Sequence, residues 1–152
     1  MSELRDLYQE LILDHGKQPR NFRPIATASH QADGHNPLCG DKVTVFLAIE
    51  GDRITDVGFQ GSGCAISMAS ASLMTESIKG KAEAEVRTMF ERFHTGLTAK
   101  DEAAAVGALM DLDKLVVFGG VREFPIRVKC AMLPWRTLVA ALDHAQQPVK
   151  TE

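Results

Sequence analysis

Leu4, Leu7, Tyr8, Leu11 and Ile12 recur at i, i+3, i+4, i+7 and i+8, one apolar stripe that predicts an amphipathic helix ending near Asp14 to Gly16. Pro19 and Pro24 bracket an irregular connection, and Ala26 to Asp33 is read as a short strand. Val43, Val45, Leu47 and Ile49 then alternate with Thr44, Phe46, Ala48 and Glu50, and Ile54 to Phe59 follows the Gly51-Asp52 turn, which predicts a hairpin. From Cys64 to Lys79 the chain has no β-branched run and is full of Ala and Ser, so a closely packed helix is expected, stopped at Gly80. Val86, Met89, Phe90 and Phe93 mark a helix over 82–94, and Ala104, Val106, Leu109 and Met110 another over 100–112, with Gly96 and Thr98 between them. Leu115 to Val121 reads as a loop or short extended piece. Pro125 suits the first position of a last helix reaching about His144, which Pro134 would kink or restart. These elements make an α+β domain over 1–147, with 148–152 as a flexible tail.

Composition narrows the class. At 152 residues, 45% hydrophobic and 24% charged, the chain is long enough for one well-buried core, and it contains no repeat or low-complexity stretch. A formal net charge of −3 with both signs interspersed gives no footprint for nucleic acid or an anionic membrane. The amino terminus is acidic and amphipathic, unlike a secretory signal, so a cytoplasmic location is expected. In that reducing compartment an odd number of cysteines argues for free thiols or metal thiolates over a disulfide framework.

Those three cysteines carry the chemistry. Cys39 lies in Asn36-Pro37-Leu38-Cys39-Gly40-Asp41, where residues i and i+2 of an extended segment share a side, so Cys39 and Asp41 can address one ion, with Gly40 freeing the backbone. The plainer alternative is a turn leading into the strand at Lys42. Cys64 follows Gly61-Ser62-Gly63 into a helix start, where unpaired amides and the helix dipole favour a thiolate; otherwise it packs as a small apolar residue. Cys130 is flanked by Arg127 and Lys129, cations that favour anionic sulfur or simply face solvent or a partner. Three thiolates and one carboxylate form a set that zinc accepts, but without Cys-x-x-Cys spacing the donors must be brought together by the fold. His15, His30, His35, His94 and His144 are scattered, and only His35 is near a cysteine motif. No phosphate loop, His-Glu-x-x-His or Gly-x-Ser-x-Gly element is present.

Residues 7–15, Asn36–Asp41, Gly61–Ser67 and Val128-Lys129-Cys130 together resemble the IscU/NifU amino-terminal family of iron–sulfur cluster assembly proteins, and most nearly its SufU branch. The resemblance implies a small three-stranded antiparallel sheet, helices on one face and a site at one end of the molecule. It implies Cys39, Asp41, Cys64 and Cys130 as metal or cluster ligands, one zinc ion as the metal, and a SufS-type pyridoxal-phosphate cysteine desulfurase and downstream cluster-assembly proteins as partners. Two departures separate the chain from the scaffold branch. Lys129 stands where that branch has histidine, and a Leu-Pro-Pro-Val-Lys stretch is missing. The segment from about Gly96 to Arg122 is also longer, as in SufU-type proteins. The expected role is a zinc-dependent sulfurtransferase in which Cys39 is the persulfide acceptor, released from zinc by a ligand of the desulfurase, with Arg127 and Lys129 assisting. The alternatives are an IscU-like scaffold building a [2Fe-2S] or [4Fe-4S] cluster on the same ligands, and a structural zinc module that only binds a partner.

Overall fold

The computed structural model describes residues 2–151, and side chains from residue 5 onward. The chain runs α1 (Ser2–Lys17), β1 (His30–Asn36), β2 (Asp41–Glu50), β3 (Arg53–Ser62), α2 (Ala65–Ile78), α3 (Glu83–Thr98), α4 (Glu102–Met110), a 3-10 segment (Asp113–Glu123), α5 (Pro125–Leu142) and β4 (Val149–Lys150). The expected hairpin is present. β2 and β3 pair antiparallel from Lys42↔Ser62 to Glu50↔Arg53, with a bulge between Ala48 and Ile49.

The sheet differs from the expected three antiparallel strands. It has four, in the order β3-β2-β1-β4, and β4 pairs parallel to β1 through Gly34↔Val149 and His35↔Lys150. The segment read as a flexible tail is therefore tied to the sheet, and the Thr151 amide donates to the His35 carbonyl at 3.1 Å. β1 also starts later than Ala26, because the Ala28 amide turns back onto the Ile25 carbonyl. Its inward positions are Ala32, Gly34 and Asn36, too small or too polar to register as a hydrophobic alternation.

Helices α2 and α5 cover one face of the sheet, and α1 lies on α2. On that face Val45, Leu47, Val57 and Phe59 are wholly buried together with Leu73, Met74, Leu133 and Leu138. Trp135 stacks on Phe93 at a centroid distance of 5.0 Å, and Phe118 meets Phe93 edge-on at 5.7 Å, which joins α5, α3 and the 3-10 segment in one core. The opposite face is crossed by residues 22–25. A side chain at Gly58 would collide with the Arg23 carbonyl, and Phe46 on the neighbouring strand is buried.

Four more expectations shift. Leu4 lies outside the described side chains, and of the α1 stripe Ile12 is buried whereas Leu7 is exposed. α3 continues through Gly96 to Thr98, because Leu109 of α4 occupies the space a side chain at Gly96 would need. Residues 115–121 are 3-10 helical, and α5 passes through Pro134 without a break, so the Cys130 carbonyl receives no hydrogen bond from position 134. Among the described residues no helix is long and apolar enough to cross a membrane.

Candidate metal centre

Cys39 sits at the crest of the β1–β2 turn. Asn36, buried at the end of β1, holds that turn from both sides: its Oδ1 accepts the Leu38 amide at 3.0 Å and its carbonyl accepts the Gly40 amide at 2.8 Å. Gly40 has φ 75, in the left-handed region where a side chain would be strained. The chain then enters β2 at Asp41, which is 0% exposed.

Asp41 links the motifs. Its Oδ2 accepts from Cys39 Sγ at 3.0 Å and lies 3.7 Å from Cys64 Sγ, while its Oδ1 accepts the Cys64 amide at 2.9 Å. The carboxylate thus occupies an unpaired amide at the start of α2, where an anion is favoured. Gly63 makes this approach possible, because a side chain there would strike Asp41 Oδ1. Cys64 is the N-cap of α2, and its Sγ accepts the Ser67 amide at 3.4 Å.

Cys130 comes from the second turn of α5, fully buried, with its sulfur 3.4 Å from that of Cys39. That is well beyond the roughly 2.05 Å of a disulfide, and all three cysteines are free. Donor atoms of Cys39, Asp41 and Cys130 lie within 4.8 Å of one another. Cys64 stands outside this mutual set and touches it through Asp41.

Burial pushes the Cys39 thiol above its ordinary range, and the hydrogen bond to Asp41 adds to this. Burial raises Cys130 as well, followed by its contacts with Asp41 and Cys39. The cations flanking Cys130 in sequence have different places. Arg127 is beside the sulfurs, its guanidinium held above its usual range first by hydrogen bonding to Cys130 and then by the charge of Cys64. Lys129 instead lines a separate cleft with Arg122 and Arg136.

None of the histidines belongs to the cluster. His15 is buried against Ser72 Oγ at 2.6 Å, His30 stacks on His144 at 4.0 Å, and His94 stacks on Phe90. His35, the one nearest a cysteine motif in sequence, is on β1 with its carbonyl paired to Thr151. Two features went unread in the sequence. One is the role of Asn36 in shaping the turn, for which the Asn-Pro pair was the available signal. The other is the exposed apolar surface of Leu38, Phe124 and Ile126 on the segments that carry Cys39 and Arg127. Beside it a cleft of about 630 Å³ is lined by Tyr8, Ile66, Phe124 and Arg127.

The family model of the NifU-like N terminal domain matches residues 7–131, a span that includes Cys39, Asp41, Cys64 and Cys130. The chain belongs to this family. It is 39% identical over 137 residues to the zinc-dependent sulfurtransferase SufU of Bacillus subtilis, covering 90% of each chain. It is 32% identical over 145 residues to the iron–sulfur cluster assembly scaffold protein IscU of Streptococcus pyogenes, covering 95% of this chain and 88% of the relative. The crystal structure of FiSufU from Fervidobacterium islandicum superposes with a TM-score of 0.77 at 38% identity, over 88% of this chain and 94% of the other. The α+β fold is therefore that of NifU-like N-terminal domains, with β4 as a fourth strand in this chain.

Proposed function

We propose that this NifU-like domain serves iron–sulfur cluster assembly as a zinc-dependent sulfur acceptor of the SufU type. The observation that carries this reading is the unequal exposure of the clustered donors. Cys39 and Cys64 are half-buried, Cys39 on a turn and Cys64 with its sulfur engaged by the Ser67 amide, whereas Asp41 and Cys130 are sealed in the fold. A partner can reach the Cys39 sulfur without disturbing the sealed pair.

The donor set fits zinc. Tetrahedral coordination with Zn–S near 2.3 Å sets neighbouring sulfurs about 3.8 Å apart, and a sulfur about 3.5 Å from a carboxylate oxygen. The 3.4 Å between Cys39 and Cys130, the 3.0 Å between Cys39 and Asp41 and the 3.7 Å between Cys64 and Asp41 lie near those edges. Cys39, Asp41, Cys64 and Cys130 would hold the ion, Cys64 turning from its cap on Ser67. A bound zinc ion would keep as thiolates two sulfurs that burial otherwise holds protonated.

Sulfur transfer needs little else. The Cys39 thiolate attacks the outer sulfur of a persulfide on a cysteine desulfurase. A new sulfur–sulfur bond forms on Cys39, the desulfurase's own bond breaks, and its cysteine leaves as a thiolate. Arg127, beside the sulfurs, stabilises the anion during this exchange. Leu38, Phe124 and Ile126 supply apolar docking area for the SufS-type partner, and the reducing cytoplasm keeps the thiols available. Likeness to a protein named as an IscU scaffold supports a second reading, a cluster built on the same four donors.

Alanine release by a SufS-type desulfurase separates the two. Zinc-loaded protein is expected to stimulate release strongly, and the Cys39→Ser variant to lose that stimulation. Absence of stimulation by folded, zinc-loaded protein, with an iron-dependent visible chromophore after reconstitution, would favour the scaffold.

A further inference from the structure

A second site lies on the face of α5 turned away from the sulfurs. Successive residues of an α-helix are about 100° apart, so Lys129 points well aside from Cys130. It joins Arg136, two turns on, Arg122 from the 3-10 segment and Lys150 from β4 around a cleft of about 580 Å³. The lining has four cations and, among the described residues, no carboxylate, although the chain as a whole is acidic at −3. Arg122, Lys129 and Arg136 have no acidic partner among the described residues.

Two buried polar groups in this lining are unsatisfied. Thr151 is 8% exposed and its Oγ1 has no hydrogen-bond partner among the described residues. Arg122 is anchored through Nη2 on the Ala99 carbonyl at 2.8 Å, which leaves Nη1 buried and unpaired. Buried donors are normally paired, so the guanidinium nitrogen and the hydroxyl behind this cationic lining retain hydrogen-bonding capacity for an acceptor oxygen. Planar guanidinium groups suit the oxygens of a phosphate, and Pro125 and Val128 give the cleft an apolar wall with room for more than a bare ion.

We infer that this cleft binds a phosphate ester of a small organic molecule, its phosphate held by Arg122, Lys129, Arg136 and Thr151 and its organic part against Pro125 and Val128. The site is separate from the cysteine cluster. It assigns Lys129 to anion binding.

Adenosine monophosphate is a suitable probe, with inorganic phosphate, adenosine and succinate as comparisons, titrated into the full chain at constant ionic strength and followed by amide resonances. Saturable shifts at residues 97–98, 122, 128–132 and 150–151 are expected with the monophosphate. Weaker shifts of the same amides are expected with inorganic phosphate, and none that saturate with adenosine or succinate. The Lys129→Gln/Arg136→Gln double variant should weaken monophosphate binding about tenfold or more. It spares the Arg122 anchor, and Thr151→Val tests the hydroxyl with little change of shape. No saturable shift at the cleft, or an affinity unmoved by both variants, would overturn the inference. Adenosine or succinate binding as tightly as the monophosphate would overturn the phosphate assignment.

Discussion

Asp41 ties two other parts of the chain to its own strand: it receives the Cys39 thiol, the Cys64 amide and, at longer range, the Cys64 thiol. Replacing it with Ala should lower zinc affinity at least about tenfold, read by competition with a chromophoric chelator. Unchanged affinity would remove Asp41 from the ligand set. His15 gives a separate prediction for pH. Its burial, with the Arg20 charge second, holds the imidazole below 6.5, so the folded state keeps it neutral against Ser72. A folded-state value below the unfolded one means stability that is present above about pH 6.5 and lost as the pH falls through the folded value. Urea unfolding should therefore show a larger loss from pH 7 to pH 5 for the native chain than for His15→Gln, and equal losses would contradict this. The association of Cys39 with Asp41 was legible in the sequence because two residues apart on an extended entry is a local relation. The two readings of Lys129, beside anionic sulfur or facing solvent or a partner, stayed open in the sequence, since adjacency to Cys130 says nothing of which helix face each residue takes.

β1 and β4 show where pattern reading fails for whole elements. β1 presents Ala32, Gly34 and Asn36 inward, because α5 lies too close for larger groups. A side chain at Gly34 would collide with Thr137 Oγ1 and crowd Leu133. Gly34→Ala should consequently destabilise the fold by about 1–3 kcal/mol in urea unfolding, the ordinary effect of overpacking, and a neutral result would mean α5 shifts freely. β4 has two residues, too few for any periodicity, and exists only because β1 offers it an edge. The β2–β3 hairpin was readable because residues 43–50 of β2 alternate and the extended run Ile54 to Phe59 of β3 follows the Gly51-Asp52 turn. α2 was readable from its small residues and Gly80, whereas Gly96 reads as a helix end until Leu109 is known to occupy its space.

Across the whole molecule, exposed apolar side chains stand on the chain segments that carry the cysteine cluster. Cys39 is next to exposed Leu38, and Arg127 is preceded by exposed Phe124 and Ile126. On the proposed sulfur-acceptor reading, large apolar side chains left in solvent on these segments are the contact surface for the partner. The Phe124→Ser/Ile126→Ser pair should weaken desulfurase binding about tenfold or more while leaving the circular dichroism spectrum unchanged, measured by calorimetric titration. Equal affinity would move the docking surface elsewhere. The resemblance read from the cysteine motifs identified the family. The convergence of Cys39, Asp41 and Cys130 from a turn, a strand and a helix needed the tertiary structure. The most direct test of the sulfur-acceptor role is the mass of the Cys39 peptide after the zinc-loaded protein meets a SufS-type desulfurase and free cysteine. One added sulfur atom on Cys39, removable by reductant and absent from Cys64 and Cys130, is the expected result; an unmodified Cys39 beside a persulfidated desulfurase would contradict it.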